Sequence, residues 1–250
     1  MAGAAKSLRG HASTFLKWAT DQGLIPANPL AGYRAQRATR AQRIARPGRI
    51  LDDAELRQVW DACEAEGVNP AFGRYVRLLI LTGQRRSETA AMTWADLDRA
   101  LDWWTIPETV TKNGMRHEVP LGDLAKATLA KAGSRPLLPG LPVFTTNGTA
   151  PLSGWSKMMV RLRDRANLDE PWTFHDLRRT FRSGLTRLGV GADLAEIMLN
   201  HRPETLRSIY DRDPQLHERR EAGALWERHV AALAGPGGSL SPCSEPLRAF

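Results

Sequence analysis

The chain has 250 residues and a mass of 27.7 kDa, enough for one large domain or for one domain with a short appendage. Lysine and arginine number 35 against 27 aspartates and glutamates, so the net charge is +8, which favours a polyanionic partner, either nucleic acid or an anionic membrane. Because there is no run of about 18 apolar residues and no signal-peptide core, we expect neither a membrane-spanning helix nor export, but a cytoplasmic location. Cys63 and Cys243, the only cysteines, lack metal-ligand spacing, which excludes a disulfide scaffold and a cysteine-rich zinc site.

The first 50 residues divide into a helix and an arginine-rich segment. Apolar residues at helical spacing predict a helix over residues 11–22, and Gly23 is a typical stop. Prolines follow, and residues 34–50 are rich in arginine without any acidic residue. This segment is either a solvated linker or a linker laid along DNA phosphates, and the second interpretation is better supported because arginine binds phosphate bidentately.

From residue 51 the pattern is mainly helical with one β interruption. The sequence from Leu51 to Leu56 starts a helix with acids in its first turn, and a dense apolar stripe over 70–92 is broken at Thr82-Gly83. Residues 102–121 place β-branched and aromatic residues on both sides of Lys112-Asn113-Gly114, a strong hairpin signal. Helical spacing of apolar residues also predicts helical structure over 122–132, 152–167 and about 175–233. We therefore expect a mainly α fold with a small antiparallel β-sheet.

Three short clusters bring cations or imidazoles together in a helical context. Arg85 and Glu88 share a helix face, as do His175 and Arg178. His201 is followed nine residues later by Tyr210 in the stretch LNHRPETLRSIY. Taken singly, the charged pairs are more typical of a solvated helix face, and the tyrosine is more typical of a core aromatic.

The order and spacing of these clusters change that interpretation. The succession T-G-x-R-x-x-E, a lysine in a hairpin turn, H-x-L-R, and a histidine followed by a tyrosine resembles the tyrosine recombinase family, the phage integrases. The matching stretches are TGQRRSETAAMTWADLD, TKNGMRHEVPL, FHDLRRTFRSGL and MLNHRPETLRSIY, which cover residues from about 50 to 215. One departure is Asn200, where the family usually has glycine; asparagine tolerates the left-handed conformation and replaces glycine there at modest cost.

The resemblance implies a site-specific DNA recombinase, an integrase, whose catalytic domain has the fold of the DNA breaking-rejoining enzymes. Tyr210 corresponds to the nucleophile that forms a 3′-phosphotyrosyl link with DNA. Lys112 corresponds to the hairpin lysine that protonates the departing 5′-oxygen, on a mobile turn that reaches the scissile bond once DNA is bound. His175 corresponds to the residue assigned to general acid/base catalysis and phosphate contact.

The remaining motif residues match the family's phosphate-binding groups. Arg85 and Arg178 correspond to the arginine pair that clamps the non-bridging oxygens, and Glu88 to the acid that supports the first of them. His201 corresponds to a histidine that hydrogen-bonds the phosphate. Because fixed cations supply the electrostatic stabilisation, the resemblance implies neither a metal nor another cofactor.

The resemblance also predicts a domain organisation. Residues 1–33 look like the end of a helical core-binding domain, 34–50 its linker, 51–234 the catalytic domain and 235–250 a disordered tail. Family members usually carry about a hundred residues of core-binding domain in front of the catalytic domain. We therefore expect either a truncated integrase of prophage or mobile-element origin, or a start upstream of Met1.

The expected partner is double-stranded DNA at recombination sites, bound by a homotetramer in the nucleoid. The helical region after Tyr210 either supplies a segment exchanged between protomers or packs on its own domain. The alternative function is a non-catalytic DNA-binding remnant of an integrase. A type IB topoisomerase fits the compact chain and the loop Leu199-Asn200-His201 (L-x-H) less well. Membrane binding has no amphipathic lysine-rich helix to support it.

Overall fold

The computed structural model describes residues 2–32, 48–133, 138–201 and 215–235. The chain divides into two units, Met1–Pro47 and Gly48–Phe250. The first unit contains helix α1 (Ala2–Asp21), which begins earlier than the predicted helix and ends one residue before its predicted end. Gly23 follows it with a φ of +70°, which confirms the predicted stop. The rings of Phe15 and Trp18 are exposed on α1, with centroids 5.8 Å apart.

The described part of the second unit is mainly helical with a small antiparallel two-stranded sheet, as predicted. Its elements in chain order are α2 (Asp53–Ala62), α3 (Pro70–Thr82), α4 (Arg86–Ala90), a 3-10 turn (Trp94–Asp96), β1 (Trp103–Ile106), β2 (His117–Pro120), α5 (Asp123–Ala130), α6 (Trp155–Ala166), α7 (Phe174–Arg187), α8 (Ala192–Met198) and α9 (Leu216–Ala234). The segment with Tyr210, most of the predicted linker and nearly all of the predicted tail lie outside the described residues. Across the described ranges, no helix has the length and apolar character needed to cross a membrane.

Helix α3 is the centre of the second unit. Asn69 caps its N-terminus by accepting a hydrogen bond from the Phe72 backbone, and Pro70 occupies the first helical position. Every residue from 71 to 82 except Arg74 and Arg77 is buried, because α4, α5, α7 and α9 pack around the helix. The predicted apolar stripe therefore lies at the centre of the hydrophobic core.

Helix α3 ends at a glycine that also lets α7 approach. Gly83 has a φ of +65°, and a Cβ there would lie 2.4 Å from the ring of Phe181. Phe181 and Leu177 point into the core, as their spacing predicts. The turn after Gly83 is thus held close to α7, which brings together two of the sequence clusters.

The C-terminal helix α9 packs on its own unit. Trp226 is fully buried, and its indole nitrogen donates to the carbonyl of Ile80 over 2.9 Å. Its ring lies so close to Gly184 of α7 that a Cβ there would be 2.1 Å from it. Val230 and Leu233 continue the buried face. In the single chain, residues 216–234 therefore pack on their own unit.

Glu227 of α9 caps the start of α5. Its carboxylate accepts backbone hydrogen bonds from Gly122, Leu124 and Ala125 at 3.0–3.2 Å. Gly122 has no side chain with which to cap the helix, and a Cβ there would meet the carboxylate at 2.3 Å. Burial raises the pKa of Glu227, although the three donors oppose that shift.

The predicted hairpin is present, but its strands are joined by a longer connection than a tight Asn-Gly turn. Trp103 pairs with Pro120 and Ile106 with His117, so residues 107–116 connect the strands. Pro107 cannot donate to the ladder, and its carbonyl accepts hydrogen bonds from residues 110 and 111 instead. The Asn-Gly dipeptide forms a turn inside this connection, where Gly114 has a φ of +68°.

Arg49, grouped with the linker by its sequence, is held by the second unit. Its guanidinium forms salt bridges with Glu55 and Glu170, and its backbone N–H donates to Asp176 over 3.1 Å. This arginine therefore forms ion pairs with carboxylates of the second unit.

Candidate active site

Arg85 is supported by a buried carboxylate, as the resemblance implies. It precedes α4, and its guanidinium donates to Glu88 over 2.8 Å. Glu88 is only 1% exposed and also accepts the Arg85 backbone N–H at 3.3 Å, which satisfies one of the donors at the start of the helix. The guanidinium remains partly exposed and is fixed in one orientation.

Arg178 is a buried cation on the first turns of α7, 4% exposed. It donates to the carbonyl of Gly83 over 2.8 Å and to that of Leu199. Burial and the nearby charge of Arg85 lower its pKa to about 10, so the guanidinium stays charged at neutral pH. Among the described residues, no carboxylate forms a salt bridge with it. A buried charge whose partners are neutral carbonyls is suited to an anionic ligand.

His201 follows a helix end that requires a left-handed residue. The backbone N–H groups of His201 and Asn200 donate to the carbonyls of Glu196 and Ile197, both over 2.9 Å, which is a Schellman motif. Asn200 has a φ of +53°, confirming that asparagine replaces the family's usual glycine in this conformation.

The ring of His201 lies between an arginine and a carboxylate. Nε2 is 3.1 Å from the Arg178 guanidinium and Nδ1 is 2.9 Å from the carboxylate of Glu196. Because a carboxylate only accepts, Nδ1 carries a proton and donates it to Glu196. Glu196 also accepts from Arg182 over 2.9 Å; burial raises its pKa, but the hydrogen bonds from His201 and Arg182 outweigh this and lower it.

His175 lies in the first turn of α7. Thr173 and Asp176 fix the start of the helix through a capping box, in which the Thr173 hydroxyl donates to Asp176 over 2.6 Å. Partial burial, the charge of Arg179 and then that of Arg178 lower the pKa of His175. The neutral imidazole is therefore the stable form at pH 7.

The turn that carries Lys112 is in contact with the Arg85 turn and with the His201 loop. The backbone N–H of Lys112 donates to Glu88 over 3.4 Å, and the side chain of Asn113 forms hydrogen bonds with Asn200. Lys112 itself is exposed. Of the predicted site residues, Arg178 and His201 are in direct contact, Arg85 and Lys112 meet at Glu88, and Tyr210 lies outside the described residues.

Two residues that the motifs did not single out hold these regions together. Gln84 and His117, both buried, donate to the carbonyl of Met198 over 2.9 and 3.2 Å. They join the Arg85 turn and the hairpin to the end of α8. Gln84 occupies the variable position of T-G-x-R, so the motif gave no reason to single it out. Its role is evident only from its burial in the structure. Within the described ranges, no group of three or more His, Cys, Asp or Glu side chains is arranged to hold a metal ion.

A mainly helical domain that gathers arginines, histidines and a hairpin lysine in this way has the fold of a tyrosine recombinase catalytic domain. The Phage integrase family model matches residues 49–215, and the chain belongs to this family.

Two curated relatives and one solved structure illustrate the similarity. The integrase of Enterobacteria phage 434 is 28% identical over 225 residues, covering 85% of this chain and 59% of that protein. The prophage integrase IntZ of Escherichia coli K12 is 28% identical over 248 residues, covering 95% and 58%. A lambda integrase tetramer bound to a Holliday junction shares the fold, with a TM-score of 0.54, 23% identity and coverage of 81% of this chain and 60% of that one. The chain thus spans about three fifths of the length of the curated relatives it matches.

Proposed function

We propose that the chain is a site-specific DNA recombinase, an integrase that cleaves and rejoins DNA through a 3′-phosphotyrosyl intermediate at Tyr210. The observation that supports this most is Arg178, a buried cation that is held by the carbonyls of Gly83 and Leu199 and lies against His201, and that forms no salt bridge with a carboxylate among the described residues. In a chain of the phage integrase family, the natural anion for such a position is the phosphodiester that is cut.

Phosphate binding follows from the fixed cations. The guanidiniums of Arg85 and Arg178 bind the non-bridging oxygens, where negative charge is concentrated in the transition state. Glu88 holds the first guanidinium and the carbonyls of Gly83 and Leu199 hold the second, so neither has to reorganise when the charge develops. His201, which lies against Arg178, adds a hydrogen bond to the same phosphate.

Strand cleavage then proceeds as a transesterification. The Tyr210 oxygen forms a bond to phosphorus, the bond from phosphorus to the 5′-oxygen breaks, and the neutral His175 takes the phenol proton. The ammonium of Lys112 gives a proton to the departing 5′-oxygen. The covalent link conserves the energy of the phosphodiester, so that a different 5′-hydroxyl can attack it without ATP.

The proposed partner is double-stranded DNA at recombination sites, bound in the nucleoid by a homotetramer. The support is the fold shared with a lambda integrase that was solved as a tetramer on a Holliday junction. The net charge of +8 favours the same partner.

The test is covalent capture of a nicked duplex that carries the host attachment sequence, followed on a denaturing gel. The chain has three tyrosines, and Tyr75 is not available as a nucleophile because it is fully buried and its hydroxyl donates to the Arg86 carbonyl over 2.8 Å. We expect a DNA adduct with the unaltered protein and with the control Tyr33→Phe, and none with Tyr210→Phe, which should bind DNA normally. An adduct that survives Tyr210→Phe contradicts the assignment. Salt-sensitive binding without any adduct favours the alternative, a non-catalytic DNA-binding remnant.

A further inference from the structure

Two asparagine side chains join the lysine turn to the histidine loop. The Asn113 amide nitrogen donates to the Asn200 side-chain oxygen over 2.9 Å and to the Asn200 carbonyl over 3.2 Å. The Asn200 amide nitrogen donates back to the Asn113 side-chain oxygen over 3.2 Å. We refer to this reciprocal pair as the asparagine clasp.

Each half of the clasp is adjacent to a proposed catalytic residue. Asn113 follows Lys112 and Asn200 precedes His201, although the two asparagines are 87 positions apart. Asn200 is 3% exposed and is fixed by the helix end described above, so it is the rigid half. The Asn113 side-chain oxygen also accepts the Met115 N–H over 3.2 Å, which closes the turn on its own backbone. The clasp therefore attaches a locally ordered turn to a rigid helix end.

The clasp depends on the position at which this chain departs from the family motif. A glycine at position 200 would satisfy the left-handed backbone but would have no amide to exchange with Asn113. Backbone conformation alone therefore does not account for the asparagine, because three hydrogen bonds depend on Asn200 and two of them on its side chain.

We propose that the asparagine clasp positions Lys112: it holds the lysine turn against the His201 loop before DNA binds, so that the ammonium meets the 5′-oxygen without ordering the turn first. This inference rests on the proposed function, and it replaces the expectation of a turn that becomes ordered only on DNA. Both asparagines are positioning residues, since they act through Lys112 and not on the substrate.

The expected effect is a smaller fraction of molecules in which the Lys112 turn is held against the His201 loop. Without the clasp, the turn must be ordered during each reaction, and the observed rate of cleavage falls in proportion to the fraction of molecules with an ordered turn. We expect Asn200→Gly and Asn113→Ala each to slow cleavage by about tenfold. The double variant should be no slower than Asn113→Ala, because that single change already removes all three hydrogen bonds of the clasp.

The first measurement is hydrogen exchange of the backbone over residues 107–116, which does not require activity. We expect faster exchange in Asn200→Gly and Asn113→Ala than in the unaltered protein. The matched control is Asn167→Gly, because Asn167 ends α6 in the same left-handed conformation, with a φ of +47°, and is exposed. It introduces the same backbone freedom without touching the turn.

The second measurement compares two nicked duplexes, one of them with sulfur in place of the bridging 5′-oxygen. A thiolate leaves without being protonated, so a defect in the placement of Lys112 should disappear on the sulfur substrate. We expect both clasp variants to be slow on ordinary DNA and to match the unaltered protein on the sulfur substrate.

Three results separate the possibilities. Unchanged exchange over 107–116 in both clasp variants overturns the inference, because the clasp then does not hold the turn. Faster exchange with an equal loss of rate on both substrates also overturns it, because the effect then does not pass through Lys112. If the unaltered protein cleaves neither substrate, the proposed function fails, while the exchange comparison still confirms or contradicts the clasp.

Discussion

His175 and Arg178 lie one helical turn apart at the start of α7, and the same surroundings leave His175 neutral and Arg178 charged at pH 7. Burial and neighbouring cations lower both pKa values. At about 10, the pKa of Arg178 remains far above neutrality, whereas the pKa of His175 moves below its ordinary value of about 6.5. At pH 7 the site therefore combines a fixed cation with a neutral base.

This difference predicts where the rate of covalent capture declines at low pH, the acid limb of its pH–rate profile. Because the pKa of His175 is lowered, its neutral form persists as the pH falls, and the limb should lie below pH of about 6.5. The groups that face His175 are Arg179, Arg178 and His201, which lower its pKa, and Asp176, which raises it. Removing the charge in Arg179→Gln should raise the pKa and move the limb to higher pH, as measured by initial capture rates across the pH range.

Arg187→Gln is the matched control, because Arg187 lies at the far end of α7 and pairs with Asp53. Identical limbs in the Arg179 and Arg187 variants would show that His175 does not set the limb.

At the scale of elements, the helices are connected by caps supplied from distant parts of the chain. Helix α5 starts at a glycine, and Glu227 of α9 satisfies its first donors. This arrangement stabilises the position of α9, the helix that follows the segment containing Tyr210.

Glu227→Ala should therefore lower the free energy of unfolding by about 1 kcal/mol, as loss of a helix cap does. Glu221→Ala on the same helix is the control, since Glu221 is exposed and its salt bridge is with the exposed His217 one turn earlier; it should change stability by less than about 0.5 kcal/mol. Denaturant unfolding of the two variants checks this, and equal midpoints would mean that the cap contributes nothing.

Sequence patterns predict elements whose determinants are local. The start of α2 was evident from its acids, the centre of α3 from its apolar stripe, and the left-handed Asn200 from the tolerance of asparagine for that conformation. The Glu227 cap and the partner of Asn200 were not predictable, because each joins residues that are far apart in the chain. The hairpin was predicted, but not the length of its connection, because Pro107 ends the pairing early.

At the scale of the whole molecule, the arginines near the junction of the two units fall into two groups. Arg49 is bound to carboxylates of the second unit. The arginines before it lie in the sequence segment for which we predict contact with DNA phosphates.

Replacing Arg37, Arg40 and Arg43 by glutamine should flatten the dependence of DNA affinity on salt, since fewer counterions are released on binding. The slope of log K against log salt should fall by about 0.9 for each phosphate that is no longer neutralised. Arg49→Gln is the control: it should reduce stability and leave the slope unchanged. Affinities measured at several salt concentrations decide, and an unchanged slope in the triple variant would mean that these arginines do not bind DNA.

The asparagine clasp also has a consequence for the ageing of the protein. Asn113 is followed by Gly114, and a glycine without Cβ offers the least hindrance to attack of its backbone nitrogen on the preceding amide. Such deamidation turns the Asn113 amide into a carboxylate, which cannot donate either of the two hydrogen bonds that Asn113 gives to Asn200. Deamidation during storage would thus break the clasp without any mutation, so that the rate of cleavage would depend on the age of the preparation.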